Sequence, residues 1–393
     1  MNNYLATPSY KNTISIFFIV IFLSSCSSMS SLKFWESNDD DDDDDAPKEL
    51  IKISNSFSIN EDWKISYNGE NILGNFVPAF GGKDIYFADT SGFLNSIDTS
   101  SGKVNWETES NFLSSGVSSG FGILIVSDID GNVIAQDQED GSVLWTTNVK
   151  GEVLAPPAIS ATHIIVKTGS GELLGLDKKS GELKWSYRSK LPALTIRGSS
   201  SPIIVENQIY VSFDNGRLGV FELDSGFPLW DGAISYQSGS SELESLNDSD
   251  SEPFIEGGLV YTTNYQGNLN IFDIAQKRSV WTSKVSSFYS PILTKGMLVV
   301  VKDNSVLKSF TLKTLEDSWE SDEYKNREIS NAVSFNGNLI FGDSEGYIHA
   351  VDPLNGKTIS RTRISKNPIK KIISRSNNFY AVDEGFNLFS LSI

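Results

Sequence analysis

One pattern, returning about every 40 residues, constrains this chain more than anything else in it. In residues 84–106 a short apolar strand runs into an Asp-x-x-Gly turn. A second strand ends at Asp98, and a Ser-Gly turn then leads to Trp106. Residues 122–145 and 163–185 repeat the order and end at Trp145 and Trp185. From Trp63 the tryptophans step to Trp106, Trp145, Trp185, Trp230, Trp281 and Trp319, at intervals of 43, 39, 40, 45, 51 and 38 residues. An eighth register falls at Ser360, eight residues after Asp352 as Trp106 is eight after Asp98, but without the tryptophan. A repeat of this length is one supersecondary unit that cannot bury its apolar face alone and must stack on its neighbours.

Each unit divides the same way. After the tryptophan comes a loop, then a short apolar strand that often contains proline, as at Pro157, Pro202, Pro253 and Pro291. A β-rich strand follows, then a glycine turn such as Asp214-Asn215-Gly216 or Ser344-Glu345-Gly346, then a third strand, a second turn and the tryptophan strand. Glycine at these turns supplies the positive φ of tight hairpins. Four strands in each repeat of this length predict a β-propeller. The alternation in Tyr347-Ile348-His349-Ala350-Val351 reads as a strand packed between blades, and no segment has the 3.6-residue period of a substantial helix.

The two ends of the chain fix the blade count. The strand pair before the tryptophan register occurs eight times, starting near Ile85, Ile123, Ile164, Ile209, Leu259, Leu298, Leu339 and Phe379. The last pair runs out before any tryptophan strand, while Trp63 has no pair before it. The expected fold is therefore all-β, an eight-bladed propeller over 53–393, closed by the N-terminal strand completing the C-terminal blade. The tryptophans read as packing between neighbouring sheets.

The N-terminus reads as an export signal. Residues 14–23, ISIFFIVIFL, follow Lys11 and are too few to span a bilayer, but suit a signal-peptide core. The run ends in Leu23-Ser24-Ser25-Cys26, which resembles the bacterial lipobox, and Cys26 is the one cysteine of the chain. The expectation is a signal peptide over 1–25 and a lipid-modified, palmitate-bearing Cys26; Ser27 rather than aspartate after it resembles the sorting signal for the outer membrane. Acylation holds a protein at a membrane by about 0.8 kcal/mol per buried methylene. Residues 26–52 read as an acidic tether, because the aspartates at 39–45 repel one another and bury nothing.

Composition removes several function classes. Seven of the formal −18 charges lie in 39–45, and a chain this acidic lacks the clustered Lys and Arg of a nucleic-acid surface. With one cysteine no intrachain disulfide forms, and two histidines do not make a His-rich metal site.

The period stretches at two consecutive places. From tryptophan to the next proline strand takes 12 residues at Trp145 and 10 at Trp281, but 17 at Trp185 and 23 at Trp230. Both insertions are connectors between blades, so they leave one face of the ring side by side, and insertions gathered on one face mark binding. The first contains Leu194, Ile196 and Arg197; the second contains Asp248 and Asp250. Arg197 pairing with Asp248 or Asp250 would join the loops, since an Arg–carboxylate bond is geometrically specific. The acidic run also reads as a solvated loop. Calcium fits less well, because Asn247, Asp248 and Asp250 lack the alternating ligands and glycine of an EF-hand loop.

The blade pattern resembles the pyrroloquinoline-quinone-type propeller repeats. Within that group LPALTIRGSSSP (191–202), SGSSELESLNDSDSEP (238–253) and GDSEGYI (342–348) resemble the BamB family, the propeller lipoproteins of the outer-membrane β-barrel assembly machinery. The resemblance covers the lipobox and all eight repeats, and the two loops are more specific than the repeats. It implies a scaffold without cofactor or metal, lipid-anchored on the periplasmic face of the outer membrane and monomeric outside its complex. That scaffold would bind the POTRA domains of BamA and promote insertion of barrel proteins. It also implies that Leu194, Ile196, Arg197, Asp248 and Asp250 make the BamA contact, with Ile196 where the family more usually has leucine. The aspartate tract is not a family feature. The alternative is a periplasmic quinoprotein dehydrogenase, whose vicinal cysteine pair one cysteine cannot supply. His163 and His349 fall in strand patterns of separate blades, where packing is the expected role.

Overall fold

A computed structural model describes residues 46–67, 69, 74–190, 200–234 and 251–393. They form eight four-stranded antiparallel sheets, and seven of these are built from strands consecutive in sequence. The eighth combines Ile369–Arg375, Asn378–Asp383 and Asn387–Ser392 with Asn60–Ser66 from the other end of the chain. Asn60 lies opposite Ser392 and Ser66 opposite Asn387, so the N-terminal strand is the outer strand of the last blade. No helix occurs among the described residues. The architecture is the eight-bladed propeller expected from the repeats.

The second and third strands correct one expectation. The Tyr347–Val351 strand does not alternate: its last four residues are all buried, as are all five of Met297–Val301. Blades stack face to face, so their middle strands are covered on both sides and read as continuous apolar runs. Alternation survives in the outer strands, such as Leu183–Arg188, where every second side chain from Trp185 on is half-buried.

A bulge places each tryptophan. In all eight blades one extra residue sits immediately before the register, for example Lys184 before Trp185 and Asp62 before Trp63. A bulge sharpens the local twist, and here it turns the indole toward the next sheet. There the ring lies on the turn between third and fourth strands. Trp145 Nε1 donates to Lys178 O at 2.9 Å, Trp185 Nε1 to Leu223 O at 3.0 Å, and Trp319 Nε1 to Pro353 O at 2.9 Å. Across the ring closure Trp63 Nε1 donates to Thr99 O at 2.9 Å. A β-carbon on Gly181, whose φ is +71°, would stand 2.5 Å from the Trp145 ring, so only glycine admits the indole there.

The missing tryptophan has a structural reason. An indole at Ser360 would need the corresponding turn of blade eight. That turn does not exist, because the third strand of blade eight ends at Ser392 and the fourth begins at Asn60. The lead-in to the first strand fills the place instead. Ser360 Oγ donates to Phe57 O at 2.8 Å and accepts from Phe57 N at 3.1 Å, while Asn55 and Arg361 exchange two hydrogen bonds of 3.0 Å. The Phe57 ring packs against the core shared by blades seven and eight.

These contacts set two expectations for denaturant unfolding. Trp145→Ala should cost about 3–5 kcal/mol through lost burial and the cavity left behind. Gly181→Val should also destabilise the fold, by strain at positive φ added to the clash.

Candidate functional site

The face that carries the blade-to-blade connectors also carries the corners between second and third strands, opposite the tryptophan turns. The connectors after blades three and four leave this face from adjacent blades. Their bases are held from the corners and strands beside them. Asn215 Nδ2 donates to Ser189 Oγ at 3.0 Å and Lys190 O at 3.1 Å, where the first begins. Asn270 Nδ2 donates to Ile234 O at 2.5 Å, where the second begins, and Thr263 Oγ1 donates to Ser251 Oγ at 2.8 Å, where it ends. Ser200 and Ser251 are buried, so each connector re-enters the ring at a fixed point. Leu194, Ile196 and Arg197 of the first, Asp248 and Asp250 of the second, and Cys26 all lie outside the described residues.

A buried ion pair lies at the junction of blades three and four. Lys167 Nζ stands 3.6 Å from Asp214 Oδ1 and donates to Ser212 O at 3.0 Å, and both side chains are 3% exposed. Other blades put Ala88, Ser127 or Val301 in the Lys167 register. A lysine buried this deeply needs its partner, and removing one member leaves an uncompensated charge.

A third connector runs from the closing strand into blade one. Gly74–Phe76 reaches over the channel: Asn75 N donates to Leu154 O at 2.9 Å, and Asn75 Nδ2 lies 3.5 Å from Glu252 Oε1 on blade five. The channel cavity, about 550 Å³, is lined by the innermost segments of blades five to eight and one. Among the described residues its one acidic lining residue is Glu252, which does not make the multi-carboxylate oxygen cage of a calcium ion. The calcium of a quinoprotein dehydrogenase therefore does not fit these described residues.

The densest charge cluster described lies in blade seven. His349 Nε2 bonds Asp343 Oδ2 at 2.9 Å, and Arg327 contacts the same oxygen at 2.8 and 3.0 Å and also Glu345. Arg361 Nε donates to His349 Nδ1 at 3.2 Å, which makes that nitrogen an acceptor and the imidazole neutral. Arg327 Nη1 and Arg361 Nη1 also hold the carbonyls of Lys48 and Ile51, at 2.9 and 3.0 Å. The lead-in segment thus seals the cluster. Burial pushes the His349 pKa below its usual value despite Asp343. Burial alone would raise the Asp343 carboxyl, but the hydrogen bond from His349 and the other donors hold it low. This is a packed structural network rather than an open site. Its signal in the sequence was faint, since Arg327 lies outside the strand pattern.

A ring of this kind, with its long connectors gathered on one face, defines a propeller of the binding-scaffold class. The family model described as outer membrane protein assembly factor BamB matches residues 90–321 and 290–382. The assembly factor BamB of Yersinia pestis is 31% identical over 332 residues, covering 80% of this chain and 84% of the relative. That of Escherichia coli is 27% identical over 79% of this chain and 83% of its own length. The chain belongs to the outer membrane protein assembly factor BamB family. The crystal structure of BamB from Moraxella catarrhalis superimposes with a TM-score of 0.80 at 23% identity, covering 86% of this chain and all of that one. A quinohemoprotein alcohol dehydrogenase from Comamonas testosteroni shares the fold, with a TM-score of 0.63 at 11% identity over 85% of this chain and 76% of its own.

The sign of the His349 shift gives a pH expectation. The unfolded chain takes the proton first, so stability is full above about pH 6.5 and falls as the pH drops below it. Urea midpoints at pH 7.5 and 5.5 should differ in the wild type, and His349→Gln should narrow the difference.

Proposed function

We propose that this chain is a non-enzymatic scaffold of outer-membrane protein assembly, whose two long connectors hold the POTRA domains of BamA. The observation that carries the reading is the pairing of those connectors. They leave adjacent blades on one face, their bases are fastened by Asn215, Asn270 and Thr263, and the chain is a family member. Leu194 and Ile196 supply apolar contact. Arg197 with Asp248 and Asp250 supplies charge-assisted hydrogen bonds, the kind whose truncation most weakens an interface.

Residues 1–25 serve as the signal and Cys26 as the lipidated anchor that keeps the scaffold on the periplasmic face of the outer membrane. Residues 26–52 carry the chain from that anchor to the ring, and the propeller occupies 53–393. The last part of the lead-in already lies on blade seven through Lys48 and Ile51.

Arg197→Ala, and separately Asp248→Ala with Asp250→Ala, should weaken binding of purified POTRA domains by about tenfold or more while leaving the unfolding transition in place. Wild-type affinity in both variants would sink the reading. Cys26→Ser should move the protein from the membrane fraction to the soluble periplasm; continued membrane fractionation would count against the anchor.

A further inference from the structure

The repeats let one blade serve as a control for another. At five junctions an amide in the second-to-third-strand corner donates to a carbonyl of the preceding connector. Ile129 bonds Phe112 at 3.0 Å, Gly169 bonds Glu152 at 2.8 Å, Asp303 bonds Ser286 at 3.1 Å, Ser344 bonds Arg327 at 3.1 Å and Glu384 bonds Pro368 at 2.8 Å. The bond sets two residues side by side on the connector face. At three of these junctions the pair is polar, or polar with glycine, and at the entry to blade eight it is Glu384 with the half-buried Pro368. Between blades one and two it is Phe112 with Ile129, and their exposures are 61% and 54%.

Folding does not call for two large apolar side chains at these positions, because the other four junctions make the same bond without such a pair. Single exposed apolar residues are ordinary, but here two large ones are fixed together by a backbone bond in a register where no other junction pairs two apolar residues. Exposed carboxylates flank them in sequence, Glu109 before Phe112 and Asp130 after Ile129. The surface that fits is an apolar spot bordered by lysine or arginine. The pair shares a face with the long connectors, and blade two is next to blade three, from which the first of them departs.

We propose that Phe112 and Ile129 form a second contact for the partner held by the long connectors, taking an apolar, basic-bordered surface of that same protein. The inference rests on the function proposed above. Truncating the apolar anchors of an interface removes much of its affinity. Phe112→Ser with Ile129→Ser in the full-length chain should therefore weaken binding of the POTRA domains by about tenfold. The unfolding midpoint should stay near that of the wild type, since both side chains face solvent. A photo-crosslinking side chain at position 112 of the membrane-bound protein should capture BamA. Capture of a second copy of this chain or of another protein instead would overturn the proposal. Weakened binding with Arg197→Ala but wild-type binding with the double variant would overturn it and leave the scaffold reading standing. Wild-type binding by both would overturn both.

Discussion

An indole laid on the turn of the neighbouring sheet is the contact on which this ring depends. It combines a large apolar area with a buried N–H that must find an acceptor, and the turn carbonyl provides one for Trp63, Trp145, Trp185 and Trp319. The bulge before each register aims the ring, and a glycine opposite opens the space for Trp63, Trp106, Trp145, Trp185 and Trp319. Because this fastening sits among the turns of one face, the connectors of the other face carry less of the structural burden. Two of them have lengthened there, and a third reaches over the channel.

The junction of blades seven and eight departs from the rule, and the departure shows what the rule requires. Closure by the N-terminal strand removes one turn, the indole that would have used it is absent, and Ser360 bonds Phe57 instead. The same lead-in covers a neutral imidazole caught between two arginines and an aspartate. Such a network is costly to leave half-satisfied. The segment before the first strand is therefore part of the ring at this junction, and it adds to the closing strand's own hydrogen bonds.

Much of the fold was legible because propeller repeats write their spacing plainly. Trp63 without a preceding strand pair, and Phe379 without a following tryptophan, were enough to close the ring. The alternation read in Tyr347–Val351 was not the governing pattern, because a strand covered on both faces has no solvent side to mark. The docking of Lys48, Ile51 and Phe57 on blade seven left no trace in the spacing, since what they offer Arg327, Arg361 and Ser360 is backbone carbonyls, which any sequence carries. The inserted connectors were legible as lengths. Asn215, Asn270 and Thr263 were not, because a single amide or hydroxyl on a turn or strand looks like ordinary hairpin chemistry until its partner is seen.

Pairing Asn60 with Ser392 also orders events in time. It joins strands from opposite ends of the chain, so it forms only after the C-terminus has emerged, and contacts of such sequence separation form slowly. Until then Trp63 has no strand of blade eight beside it, and Tyr380 and Leu388, which share its core with blade one, are still to arrive. A chain cut short leaves that apolar surface open to chaperones and proteases. The closing strand thus makes completeness of the polypeptide a condition for a sealed ring.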